Sequence, residues 1–257
     1  MAAPKPEETT LDSQYERQFK WRDWKTIFSL LPIKEGDTVL DLGCARGDQS
    51  MELSRLGAKV IGIDGDKSLL RVAISRNIPG ATFHLADLSD ISSLMQSKVD
   101  GIWTSFVPAY FPEFSSIAAK WSSHLKPGGW VAAVEMDNLF GHAPISNESQ
   151  DLINGFYEHS RRSGHYDFCM GGRLRQHLER AGFKVEAEKT IADFELSFQG
   201  PATPEILEAW ENRLARMSGL KHFANERFLN FYSDFMKALA NEEHKSFCRV
   251  VFILARK

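Results

Sequence analysis

The chain has little cysteine, no long apolar run and no excess of positive charge. Its 257 residues hold three cysteines, Cys44, Cys169 and Cys248, an odd count with no C-x-x-C spacing. That excludes a disulfide framework and reads as free thiols in a reducing, cytoplasmic compartment. No apolar stretch reaches the roughly 18 residues that a membrane span needs, so no membrane partner is expected. Lys and Arg total 31 against 34 Asp and Glu, a net charge of −3. This offers no electrostatic footprint for nucleic acid. Residues 1–10, MAAPKPEETT, carry Pro and Glu where a signal peptide has its apolar segment, and are expected to be a disordered lead-in. Internal repeats and low-complexity segments are absent. What is present is ordinary: 43% apolar and 25% charged residues, in a length suited to one domain or one domain with a cap.

The informative stretch is 38–50, TVLDLGCARGDQS. Thr38 to Leu42 reads as a short buried strand, Gly43 to Gly47 as a tight loop, and Asp48 onward as a helix with apolar spacing at Met51, Leu53 and Leu56. Glycines let backbone N–H groups approach a ligand, and a helix start adds unpaired donors with partial positive charge. Residues 58–66, AKVIGIDGD, form a second strand ending at Asp64 and Gly65. Asp64 follows Gly43 by 21 residues, the spacing at which a strand-end acid accepts from ribose hydroxyls. The pair suggests an adenosine-containing cofactor. The loop lacks G-x-G-x-x-G and lacks a G-K-S/T, which disfavours NAD and a P-loop nucleotide.

Asp41–Gly47 resembles motif I of class I S-adenosylmethionine-dependent methyltransferases, D/E-x-G-x-G-x-G. Asp41, Gly43 and Gly47 match; Cys44 lies between, and Ala45 stands where the middle glycine usually sits. The resemblance spans roughly residues 37–135. It implies S-adenosylmethionine as cofactor and S-adenosylhomocysteine as product. By the same resemblance Asp87 and Leu88, after a third strand at 81–85, meet the adenine, although Asp87 reads equally as a loop or helix-cap residue. Ser105 and Phe106, ending a strand at 99–107, line the methionine end, and Tyr110 the acceptor pocket. The N/D-P-P-Y/F tetrapeptide of amine and base methyltransferases is absent. L-K-P-G-G at 125–129, a turn before a fifth strand at 130–135, is another family feature.

Residues 11–31 show helical spacing. The resemblance makes this helix a lid, with Tyr15 and Trp21 as contacts; the alternative is that its aromatics pack on the sheet. Asp137-Asn138 invites a Mg²⁺ site, but the third carboxylate expected after the fourth strand is missing, so no metal is expected. His142 sits in a Gly/Pro-rich loop and reads either as a general base or as a hydrogen-bonded loop histidine. His165, after a helix at 148–162, reads as part of a polar acceptor wall or as a solvated helix end. A helix at 172–181 closes at Gly182, and 183–191 alternates like a strand. About fifty residues then intervene before a last strand at 247–256. This insertion, about 195–244, holds helical segments near 203–217 and 224–240. Phe228, Phe231, Tyr232 and Phe235 make the second too apolar for a free surface. The expectation is a cap in which Phe231 and Tyr232 wall the acceptor site, or else a homodimer contact.

The expected fold is α/β: three-layer, doubly wound, with a seven-stranded mostly parallel sheet, an antiparallel last strand and a helical cap. Residues 32–257 would be the methyltransferase domain. The expected activity is methyl transfer to an oxygen or nitrogen of a small, partly apolar molecule. Rivals are a nicotinamide-dependent oxidoreductase and a non-catalytic cofactor-binding scaffold.

Overall fold

Strand β1 (Thr38–Leu42) lies inside a seven-stranded sheet in the computed structural model, which describes residues 19–257. The other strands are β2 (Lys59–Asp64), β3 (Ala81–Leu85), β4 (Val99–Ser105), β5 (Leu125–Asp137), β6 (Lys184–Ile191) and β7 (Arg249–Arg256). Their spatial order is β3-β2-β1-β4-β5-β7-β6. The first five pair in parallel, and β7 runs antiparallel between β5 and β6. The order reverses beside β1, which leads to β2 on one side and neighbours β4 on the other. In such sheets ligands bind outside the carboxyl ends of the strands at that switch point.

Helices cover both faces: α1 (Trp24–Phe28), α2 (Asp48–Arg55), α3 (Lys67–Ser75), α4 (Phe114–Ser122), α5 (Asn147–Arg162) and α6 (Met170–Arg180). Strand alternation divides the core. Val39, Ala132, Val134, Phe252 and Leu254 pack on one face with α1, α2 and α5. Leu40, Leu42, Val131, Ala133 and Ile253 pack on the other with α4 and α6. The expected three-layer α/β fold is the observed one.

Three local features differ from the sequence reading. The continuous helix over 11–31 is interrupted: residues 19–21 are helical, Arg22 forms a bridge with Asp193, and Asp23 caps α1 by accepting from the Thr26 N–H at 3.1 Å. Apolar spacing survives the break because Phe19 before it and Trp24, Ile27 and Phe28 after it pack on the same core. Lys126 to Gly129 is not a turn before β5 but an irregularity within it, where the pairing with β4 slips between Val99 and Gly101. Between β6 and β7 lie three helices, not two: α7 (Pro204–Arg216), α8 (Ser218–Ala224) and α9 (Phe228–Leu239).

Candidate functional site

A cavity of about 920 Å³ opens over the carboxyl ends of β1 to β5. Its floor begins with the loop after β1. Gly43 has φ +82°, and a Cβ there would collide with Val107 Cγ2. Gly47, also left-handed at φ +80°, starts α2. Ala45 holds φ +45° without being glycine, a conformation that costs on the order of 1 kcal/mol and needs outside support. Asp64 supplies it: the Ala45 N–H donates to Asp64 Oδ2 at 2.7 Å. The Asp66 N–H donates to the other oxygen at 2.8 Å. The carboxylate at the tip of β2 is thereby fixed in the cavity wall, with lone pairs remaining for a ligand.

Gly43, Ala45, Asp64, Gly65, Asp87, Leu88, Ser105, Phe106 and Tyr110 all line this space, as the sequence anticipated. Asp87 lines it while also serving its local alternative, for its Oδ1 accepts from the Ser89 N–H at 2.8 Å. Ser105 Oγ is buried there with no partner among the described residues. The Tyr110 ring meets Tyr166 edge-on at 4.9 Å between centroids. Desolvation, with the Glu135 and Asp64 carboxylates nearby, raises the Tyr110 phenol above its ordinary pKa.

Other expected residues stand elsewhere. Asp41 is buried under the loop, hydrogen-bonded by Ser50 Oγ, and burial raises its pKa to about 7. It braces the start of α2 and does not line the cavity. The Cys44 thiol is buried as well, and burial raises its pKa. Tyr15 lies outside the described residues. Trp21 does not line the cavity; Phe19, Arg22 and Trp24 do. His165 is exposed beyond α5, and its neighbour Tyr166 is the wall residue. Phe231 is 2% exposed and packs on Phe140 and Phe235, at centroid distances of 5.7 and 5.5 Å. Neither it nor Tyr232 borders the cavity. On α9, Phe231 and Phe235 are core, and Phe228 and Tyr232 pack half-buried against it.

His142 is the largest correction. It pairs with a two-residue strand at Lys245–Ser246 and is 2% exposed beneath α7 and α9. Its ring touches Trp210 and Phe235 at 5.1 and 5.5 Å. His142 Nδ1 faces His244 Nε2 at 2.9 Å, and His244 Nδ1 faces the Gly200 carbonyl at 3.0 Å. A carbonyl only accepts, so His244 carries its proton on Nδ1 and His142 Nδ1–H donates to His244. Burial lowers the His142 pKa to about 3. It is a neutral core histidine away from the cavity. Asp137, the other candidate ligand of that segment, is paired with Arg249 at 2.5 Å.

Several site residues carried no sequence signal. Arg22 lines the cavity, stacks 4.2 Å over the Phe106 ring and pairs with Asp193 at 2.5 Å. Arg213 and Arg216 of α7 and Leu196 line it too. Arg213 Nε donates to Glu195 Oε1 at 3.1 Å. Glu135 is buried behind the wall at the end of β5, taking N–H bonds from Ala109 at 3.1 Å and Met136 at 2.9 Å. It fixes the turn that presents Tyr110, and burial raises its pKa to about 8. A lone acid in the apolar run 130–136 was the one available hint.

A family model described as "Methyltransferase domain" matches residues 33–184, more than half of the chain. The chain belongs to the class I S-adenosylmethionine-dependent methyltransferase family. A trans-aconitate 2-methyltransferase from Deinococcus radiodurans is 27% identical over 140 residues, covering 51% of this chain and 52% of that one. A ubiquinone biosynthesis O-methyltransferase from Xanthomonas axonopodis pv. citri is 29% identical over 187 residues, 71% of each. The chain spans about half the length of the first of these relatives. The crystal structure of a Bacillus halodurans C-125 protein, itself described as a putative methyltransferase, superposes with a TM-score of 0.60 at 19% identity. It covers 91% of this chain and 98% of that one, a likeness of fold. In this family member the cavity runs along the strand tips in order: Asp87 after β3, Asp64 on β2, the glycine loop after β1, then Ser105 and Phe106 of β4.

Proposed function

We infer that the chain transfers a methyl group from S-adenosylmethionine to an oxygen or nitrogen of a small molecule. One observation carries the reading: the Asp64 carboxylate, pinned by the Ala45 and Asp66 N–H groups in the wall of the large cavity. A side chain held by two internal donors is pre-oriented, which lowers the entropic cost of binding vicinal hydroxyls. Asp87 and Leu88 suit a nucleobase. The unpartnered Ser105 Oγ suits a polar ligand atom at the far end. When bound, S-adenosylmethionine supplies a methyl group on a positively charged sulfur. The protein's part is alignment and exclusion of water. Tyr110, Tyr166 and Phe106 give the acceptor region aromatic walls, which favour a partly apolar molecule. The two relatives named for small-molecule methylation support the same substrate size. No metal is needed in this reading.

Thermal denaturation with S-adenosylhomocysteine and with NAD tests it. Ligand at a hundred times its Kd stabilises by about 2.7 kcal/mol. S-adenosylhomocysteine should raise Tm and NAD should not. The reverse pattern would favour a nicotinamide enzyme.

A further inference from the structure

Tyr110 and Tyr166 reach the same cavity wall from distant parts of the chain, and their rings meet edge-on at 4.9 Å. Aromatic pairs favour centroid separations of about 4.5–7 Å. Tyr110 is 60% exposed, so its own packing does little to hold it. Its position comes from the residue before it. Ala109 is fully buried in the tight turn Pro108–Tyr110 and is gripped at both ends of its backbone. Its N–H donates to Glu135 Oε2 at 3.1 Å, and its carbonyl accepts from the Asp167 N–H at 2.8 Å.

The second of these bonds ties the two tyrosines together, because Tyr166 immediately precedes Asp167. The Tyr166 carbonyl accepts from Ser160 Oγ of α5 at 2.9 Å, and its ring lies 4.7 Å from that of Phe168. The Asp167 carboxylate accepts from the Cys169 N–H at 2.9 Å and pairs with Arg173 of α6. Tyr166 is thus anchored by both helices, whereas Tyr110 depends on Ala109 and so on Glu135.

Glu135 does not line the cavity and is fully buried. A hydroxyl or amide would satisfy the Ala109 N–H at a lower desolvation cost than a carboxyl group. The carboxyl group does more, for its other oxygen accepts from the Met136 N–H at 2.9 Å. Met136 lines the cavity as Tyr110 does. One side chain therefore fixes the spacing between the end of β5 and the turn that carries Tyr110.

We propose that Glu135 is a positioning residue for the acceptor: through Ala109 it holds Tyr110 against Tyr166, and so sets the affinity for aromatic acceptors without contributing to cofactor affinity. The inference rests on the methyltransferase reading above, which gives this wall to the acceptor. Without the Glu135 bond the turn loosens, Tyr110 leaves Tyr166, and the aromatic wall opens.

Calorimetric titration of S-adenosylhomocysteine judges the underlying reading by itself. The wall is probed separately with 2-naphthol, an aromatic alcohol, titrated with and without S-adenosylhomocysteine. Three variants are compared: Glu135→Leu, which fills similar space and cannot accept; Glu135→Gln, whose carbonyl accepts from one of the two N–H groups; and Tyr110→Ala. Glu135→Leu should weaken 2-naphthol binding about five- to tenfold, and Glu135→Gln about threefold. Tyr110→Ala should weaken it about tenfold. Added to Tyr110→Ala, either Glu135 variant should change it by no more than about twofold, since residues acting through one contact are not additive. S-adenosylhomocysteine affinity should hold within about threefold throughout. If urea denaturation shows Glu135→Leu unfolded, the same cycle is read on Glu135→Gln. Additive losses overturn the proposal, because Glu135 would then act on the fold at large and not through Tyr110. So does an equal loss of S-adenosylhomocysteine affinity in the Glu135 variants, or a wild-type protein that does not bind 2-naphthol.

Discussion

Asp64→Ala separates the fixed carboxylate from the rest of the cavity. In the folded chain Asp64 spends one lone pair on the Ala45 N–H at 2.7 Å and one on the Asp66 N–H at 2.8 Å. A carboxylate has about four acceptor sites, so roughly two remain for ligand hydroxyls. A hydrogen bond to a charged group contributes about 1.5–3 kcal/mol. The hydroxyls regain part of this from water entering the truncated site. The net loss is therefore about one such bond, 1.5–3 kcal/mol, or roughly 10- to 150-fold in Kd. The variant also frees the Ala45 N–H at a left-handed residue, which loosens the loop and pushes the loss toward the upper end. Water reaches this half-buried position, so global stability should fall by only about 1 kcal/mol. Titration calorimetry with S-adenosylhomocysteine on both proteins, beside urea denaturation of each, gives the two numbers. An affinity within threefold of wild type, in a variant of normal stability, would remove Asp64 from ligand binding.

Asp41→Asn probes a buried acid whose folded pKa, about 7, exceeds its ordinary 3.8. The folded chain binds that proton more tightly, so ionisation lowers stability by up to about 1.4 kcal/mol per pH unit as pH rises between those values. Denaturant titrations at pH 5, 6 and 7 should show the variant gaining on wild type as pH rises; a constant difference refutes the assignment. His142→Ala should cost roughly 2–4 kcal/mol as a core truncation, while kcat and KM of the folded protein stay at wild-type values. A selective loss of kcat with normal stability would restore His142 as a base. The pair Arg213→Met with Glu195→Leu should be as stable as wild type or more so, whereas Arg213→Met alone should lose about 3–5 kcal/mol by stranding a buried carboxylate. Thermal unfolding of both decides: a double variant as damaged as the single one would make the ion pair a net stabiliser.

The first half of the chain was legible because its signals are local. Apolar runs ending in Gly43, Asp64 and Ser105 mark strand tips, and parallel strands put their tips on one edge. Arg22 could not be read this way, for its partner Asp193 lies 171 residues away. His142 was misplaced for a related reason. Gly141 and Pro144 mark a loop, and loops are usually surface, but the short pairing with Lys245–Ser246 draws this one under α7 and α9. For α9 the inference that Phe231 and Phe235 cannot face water held. Apolarity says only that a side is covered, and here Phe140 and Trp210 cover it.

The turn after β6 joins these distant parts. The Phe194 N–H donates to the Trp21 carbonyl at 3.0 Å, and the Asp23 N–H to that of Ala192 at 3.3 Å. Asp193 holds Arg22 and also takes the Glu195 and Leu196 N–H groups, both at 2.9 Å. The Glu195 carbonyl accepts from Trp210 Nε1 at 3.0 Å, and its side chain holds Arg213. Five residues thus tie the N-terminal segment and α7 to the sheet. Apolar side chains would make that joint as well, because a buried ion pair rarely outweighs packed hydrocarbon of similar volume. Here the pair is less favourable still: Glu195 Oε2 is buried with no partner among the described residues. Stability therefore does not account for arginine at 213. Its guanidinium borders the cavity, and Glu195 fixes its direction from behind. A charge kept at such a cost is explained by what it faces, which is the cavity.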